Sequence, residues 1–140
     1  GNYGMVVPRF VRWAMAGEPI QIYGDGQQTR CFANVHDVVE AIARLGASDA
    51  VAGEVFNIGS AEEVTIDELA RRVIARTGSV SPVEYVPYEQ AYEVGFEDMR
   101  RRVPDTRKIR AAVGWAPTTP LDATIDQIIA HFRAEDEQAG

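Results

Sequence analysis

Every candidate strand in this sequence is short. The runs at 19–23, 30–35, 54–58 and 83–86 are rich in β-branched and aromatic residues, but none exceeds six residues. Between them the apolar residues recur with helical spacing. The chain therefore reads as α/β, a lobe of several helices with a few short strands. It lacks the repeated βαβ units of the length that a complete doubly wound sheet needs, so the sheet is expected to need completion from elsewhere.

The helices are announced by their faces and their stops. At 6–16, Phe10, Val11 and Ala14 form an apolar stripe ended by Gly17, and Pro8 fits only a first turn. Val38, Ile42 and Leu45 give 37–45 the same period, with Gly46 as its end. Thr65-Ile66-Asp67-Glu68 is a capping-box pattern, and the helix it opens carries Ile66, Leu69, Val73 and Ile74 inward and stops near Gly78. A polar, irregular stretch covers 87–104, after which Asp105 is placed to cap a short helix reaching Val113, with Gly114 as its stop. Thr119, Pro120 and Asp122 offer a cap, a first-turn proline and an N-terminal acid for a last helix. Its buried side is Leu121, Ile125, Ile128, Ile129 and Phe132, and from Ala134 the acidic tail is expected to fray.

At 140 residues the chain is about one domain, 1–140, with an ordinary 46% hydrophobic and 25% charged content. The formal net charge of -7 argues against general affinity for nucleic acid or an anionic membrane. An anionic ligand has to be captured locally. One cysteine, Cys31, leaves no internal disulfide and no thiolate zinc cluster, and His36 and His131 suggest no local metal motif. A cytoplasmic location is expected, since no apolar run approaches a membrane span and no signal-peptide pattern opens the chain. The start at Gly1 without methionine reads as a processed or excised piece.

Two places could capture an anion. Gly24-Asp25-Gly26 lies between the first two strand runs and predicts a hairpin in which Tyr23 and Arg30 face each other across the strands. A ring can stack on a base while a guanidinium forks onto a phosphate. The spacing equally describes a surface hairpin with an ordinary edge tyrosine and a solvated arginine. In Met99-Arg100-Arg101-Arg102-Val103-Pro104-Asp105, Arg102 stands two residues before a proline that fixes the backbone. The alternative there is a charge run exposed to water.

Several chemistries have no counterpart among the 140 residues. Gly24-Asp25-Gly26 is followed by strand, not helix, so it is no dinucleotide fingerprint, and no phosphate-binding P-loop run occurs. No tyrosine has a lysine four residues later, and Glu97 and Asp98 beside three arginines read as an ion-paired loop.

The ordered series Gly4-Met5-Val6-Val7-Pro8-Arg9-Phe10, Gly17-Glu18-Pro19-Ile20-Gln21-Ile22-Tyr23-Gly24-Asp25-Gly26, Gln28-Thr29-Arg30-Cys31-Phe32 and Val35-His36-Asp37-Val38 carries a resemblance. It continues through Phe56-Asn57-Ile58-Gly59, Arg102-Val103-Pro104-Asp105 and Gly114-Trp115-Ala116-Pro117. The sequence resembles the C-terminal portion of the extended short-chain dehydrogenase/reductases, the NAD-dependent nucleotide-sugar epimerases, dehydratases and decarboxylases. The resemblance implies a substrate-binding lobe, without the N-terminal Rossmann domain, that grips a UDP- or dTDP-sugar. It implies that Met5, Val6 and Val7 lie along the nucleotide, Tyr23 packs on the base, Arg30 binds the diphosphate, Arg102 reaches the diphosphate or the sugar, and Asn57 sits near the ligand. Cys31 stands where relatives often have aspartate. NAD is implied for the parent enzyme, held by a domain outside this sequence. The 140 residues alone are expected to be inactive and to self-associate through the face that domain would cover. The leading reading is a UDP-sugar 4-epimerase-like enzyme's binding lobe; the alternative is a free-standing, non-catalytic binding or interaction module.

Overall fold

The computed structural model describes residues 3–48, 62–87 and 105–139, and in them the expected hairpin is replaced by two separate two-stranded pairings. Strand β1 (Ile20–Tyr23) runs parallel to Val83–Val86, with Ile20 opposite Val83 and Tyr23 opposite Val86. Strand β2 (Thr29–Arg30) pairs antiparallel with β3 (Val64–Thr65), Arg30 opposite Val64. Tyr23 and Arg30 are thus not cross-strand neighbours. The reason lies in the loop between them: Gly24 and Gly26 both take positive φ, 78° and 75°, and the Gly24 N–H continues the parallel ladder by donating to the Val86 carbonyl at 2.8 Å. That hydrogen bond commits β1 to its distant partner. Of the expected 30–35 strand only Arg30 lies in a ladder.

Helix α1 (Tyr3–Ala16) starts before the expected 6–16, which puts Pro8 in its second turn. Its core face is Val7, Phe10, Val11 and Ala14, the one-sided spacing of a surface helix. Gly17 ends it in the left-handed conformation, with Gly17 N–H donating to Ala14 and Glu18 N–H to Trp13, a Schellman stop. Helix α2 (Val35–Gly46) is capped by Asn34, whose Oδ1 accepts from the His36 N–H at 2.9 Å, so it begins ahead of the expected 37–45.

Helix α3 (Ile66–Thr77) follows β3 directly. Thr65 caps it by accepting from the Glu68 N–H at 3.0 Å, and Gly78 closes it at φ 70°. Glu68 does not complete the capping box, because Arg71 and Arg72 take its carboxylate. The strand Val83–Val86, here β4, is where the sequence puts it.

Helix α4 (Arg107–Val113) has Thr106 at its cap without a side-chain bond; Asp105, one residue earlier, accepts from the Arg107 N–H at 3.0 Å. Arg107 also grips Asp105 from the side, and its guanidinium, then its N–H, hold that carboxyl down at about 2. Helix α5 (Leu121–Ala139) begins after Pro120, and the orphan N–H of Leu121 is satisfied by Glu62 from far away in the chain, at 3.0 Å. Thr119, expected as the cap, instead bonds Asp37. The tail expected to fray is helical: α5 runs to Ala139, and Arg12 pairs with its Glu135 and Asp136 and lies 4.0 Å over the Phe132 ring. The expected strand 54–58 lies outside the described residues.

The main core joins α1, β1, Phe32, β3, α3 and α5, with Val11, Ile20, Ile22, Leu69, Val73 and Ile125 wholly buried. A smaller cluster gathers Ala41 of α2, Ile109 of α4 and Trp115, with Leu45 and Val113 against it. On its outer side α2 leaves Val35, Val39 and Ile42 about 60% exposed in one stripe (62%, 60% and 58%).

Candidate functional site

The described site is the chain turn from the end of β1 to the start of β2. Tyr23, half-buried, is the last residue of β1, and Arg30, also half-buried, is in β2, where its Nη1 donates to the Thr29 carbonyl at 2.7 Å. The ring and the guanidinium therefore belong to different pairings, with the loop at residues 24–28 between them. Asp25 starts that loop as an Asx turn, its Oδ1 accepting from the Gln27 N–H at 3.0 Å. Gln28 closes it: its side chain, 2% exposed, donates from Nε2 to the Tyr23 carbonyl at 3.0 Å. Its Oε1 has no partner among the described residues.

The loop is seated on the first turn of α3. The Asp67 N–H donates to the Gly26 carbonyl and the Ile66 N–H to the Gln28 carbonyl, both at 3.0 Å. Two orphan amides of the helix are spent on the loop backbone. The Asp67 carboxylate accepts from Gln27 Nε2 and from the Tyr85 hydroxyl of β4, each at 2.8 Å. The bond to Asp67, ahead of burial and the nearby charge, raises the Tyr85 pKa above its ordinary value, because it is made by the protonated phenol. Gly26 takes a φ of 75°, which strains any other residue, and a Cβ there would stand 2.2 Å from Asp67 Oδ1 and displace that carboxylate.

The other expected site residues fall in two groups. Met5, Val6 and Val7 lie on α1; the Val7 side chain is turned into the core at 2% exposure and Val6 packs partly against it. Asn57 and Arg102 lie outside the described residues. Among the described residues no cluster of His, Cys, Asp or Glu could hold a metal ion, and no helix is long and apolar enough to cross a membrane. Gln27, Gln28, Asp67 and Tyr85 are the residues that sequence reasoning missed; Asp67 reads in sequence as an ordinary first-turn acid.

Away from the loop, two carboxylates hold the lobe's polar joints. Asp37, 4% exposed, accepts from the N–H groups of Thr118 and Thr119 and from both their hydroxyls, at 2.9 to 3.3 Å. Burial pushes its carboxyl up, but the four hydrogen bonds outweigh burial and leave it below the usual range. Glu62 caps α5 through Leu121 and pairs with Arg72 at 2.7 Å, and the Leu121 N–H is the main cause of its lowered pKa.

Comparison with known proteins matches residues 3–128 to the family described as GDP-mannose 4,6 dehydratase. The chain is 40% identical, over 95% of its length, to a UDP-N-acetyl-alpha-D-glucosaminuronate decarboxylase from Bacillus cytotoxicus, of which it spans 41%. Its backbone follows the epimerase Mth375 from Methanothermobacter thermautotrophicus with a TM-score of 0.86 and 26% identity, covering 95% of this chain and 38% of that one. It follows MoeE5, solved in complex with UDP-glucuronic acid and NAD, with a TM-score of 0.81 and 28% identity over 92% of this chain and 41% of that one. The chain thus spans about two fifths of each of these three proteins, and within that span it belongs to the GDP-mannose 4,6 dehydratase family of extended short-chain dehydrogenase/reductases.

Proposed function

We propose that this lobe binds the nucleotide diphosphate of a UDP-sugar and that the protein it belongs to acts on a UDP-uronic acid. The observation that carries this reading is the 40% identity, across nearly the whole chain, to a decarboxylase of a UDP-linked uronic acid. Tyr23 packs on the base, Arg30 forks onto the diphosphate, and Met5, Val6 and Val7 line the nucleotide. Arg102 faces the diphosphate or the sugar, and Asn57 stands near the ligand. An acidic chain, net -7, needs such local cations to hold a dianionic ligand.

NAD supplies the hydride shuttle in this reading. The residues here do not fit it, since the sequence has no Gly-x-Gly-x-x-Gly run and no tyrosine with a lysine four residues on. No step through the dinucleotide is assigned to them. The rest of the parent protein holds it, and the 140 residues alone are inactive. Calorimetric titration of the whole protein with UDP tests the binding, with Arg30→Ala expected to weaken it about tenfold or more, the scale of a lost charged hydrogen bond. Release of carbon dioxide from UDP-glucuronate tests the reaction. If the whole protein interconverts UDP-sugar epimers and releases none, the second reading holds: a UDP-sugar 4-epimerase, favoured by the backbone likeness to the epimerase Mth375. A lobe that binds UDP in a protein without turnover is the non-catalytic module.

The 140 residues on their own self-associate through the Val35, Val39 and Ile42 stripe of α2, an apolar face of the kind that marks an interface.

A further inference from the structure

The failure of the hairpin leaves a question of geometry. Tyr23 rides on the β1–β4 pairing and Arg30 on the β2–β3 pairing, and no ladder hydrogen bond joins the two. Something else has to fix the span between ring and guanidinium. Within the loop, Gln28 bonds the Tyr23 carbonyl and the Ile66 N–H of α3, and one side chain reaches from the loop to β4 as well. Asp67 lies on α3, continuous with β3; its N–H holds Gly26, its carboxylate holds Gln27 of the loop, and the same carboxylate holds Tyr85 of β4, the strand in register with β1. The Gly26 backbone comes so near that no side chain fits between them.

We propose that Asp67 is the positioning residue of the Tyr23–Arg30 clamp, a latch tying the loop at residues 24–28 to both strand pairings and setting how far apart the ring and the guanidinium stand. The proposal rests on the reading of Tyr23 and Arg30 as nucleotide contacts given above. Its chemistry is that of a two-pronged acceptor: one carboxylate oxygen takes an amide donor from the loop, the other a phenol donor from the neighbouring strand. Alanine removes both prongs. Asparagine keeps an oxygen for Tyr85 and offers its amide to the Gln27 carbonyl once that side chain turns over, so it restores the latch without the charge.

The test uses the whole protein, UDP as probe, and amide exchange of residues 24–28 as a second readout. Asp67→Ala is expected to weaken UDP about tenfold, the scale of losing hydrogen bonds to a charged group, and to speed exchange in the loop. Asp67→Asn is expected to restore both. Gly26→Ala, which drives a methyl against the carboxylate from the other side, is expected to repeat the loss. Asp126→Ala, which breaks the Arg76 pair between α3 and α5, is the control for general destabilisation and leaves UDP affinity unchanged. The proposal is overturned if Asp67→Ala binds UDP as tightly as wild type while Arg30→Ala does not, if loop exchange is unaltered, or if Asp67→Asn is no better than alanine. Wild-type protein that fails to bind UDP overturns the nucleotide reading itself, and with it the purpose of the latch.

Discussion

The two clusters of this lobe are built on opposite plans. Around α1, β1, α3 and α5 the interior is large and mainly apolar, and its rim is laced by ion pairs: Arg72 with Glu62 and Glu68, Arg76 with Asp126, Arg12 with Glu135 and Asp136. Around α2 and α4 the buried apolar cluster among the described residues is small, Ala41, Ile109 and Trp115, and the attachment is polar. There Asp37 binds the Thr118 and Thr119 turn, and Asn34 reaches Thr124 and Gln127 of α5 at 3.1 and 2.9 Å. The outer face of α2 stays apolar and open. One region is sealed by hydrophobic area; the other is positioned by directional bonds and leaves a hydrophobic face exposed.

The sharpest way to break this contrast is to cut each region at its centre and compare the losses. Leu69→Ala in the main core is expected to cost about 2–5 kcal/mol in chemical denaturation, as a buried leucine losing its transfer energy and leaving a cavity. A loss no larger than that of a surface substitution would sink the assignment of stability to this core.

Asp37→Ala should cost less, about 1–3 kcal/mol, from the donors of Thr118 and Thr119 left without their acceptor. This term also carries a pH signature. Since the folded carboxyl sits below its ordinary value of 3.8, the unfolded chain binds the proton more readily. Asp37 therefore contributes stability that is fully present above that value and lost as pH falls through the folded one. Acid titrations of wild type and Asp37→Asn should converge below this window; a constant gap through it would disprove the linkage.

Smaller still, Arg12→Ala at the rim should shift stability by under about 1 kcal/mol, because both partners are about half-exposed. Val39→Glu should hardly change stability at all, yet abolish the self-association proposed for the 140 residues, as read by sedimentation. Equal association by the variant would clear α2 of the role assigned to it.

What could be read from the sequence follows the same divide. The helical faces of α1, α3 and α5 were legible because Phe10, Val11, Leu69, Val73, Ile125 and Ile129 repeat at the period that the core demands, and Gly17, Gly78 and Gly114 mark where α1, α3 and α4 stop. Pairing was not legible. Tyr23 meets Val86 and Arg30 meets Val64, and nothing in the intervening residues distinguishes those partners from the nearer strand across Gly24-Asp25-Gly26. Caps that act over long range were missed for the same reason: Glu62 serves Leu121 and Asp37 serves Thr119 across the fold, while local reading assigns such duties to the adjacent Thr119. At the site, Tyr23 and Arg30 could be named from chemistry, whereas Asp67 is distinguished only by what folding brings to it.

The parallel union of β1 with β4 also sets an order of events. Ile20 and Ile22, both wholly buried in the finished lobe, belong to a strand whose partner at Val83–Val86 follows α2 and α3 in the chain. During synthesis the apolar β1 stays unpaired until both helices and β4 have emerged, and the loop closed in that step is long. The lobe is thus built around a contact that can form only after both helices have been made, which leaves Ile20 and Ile22 open to other chains in the meantime.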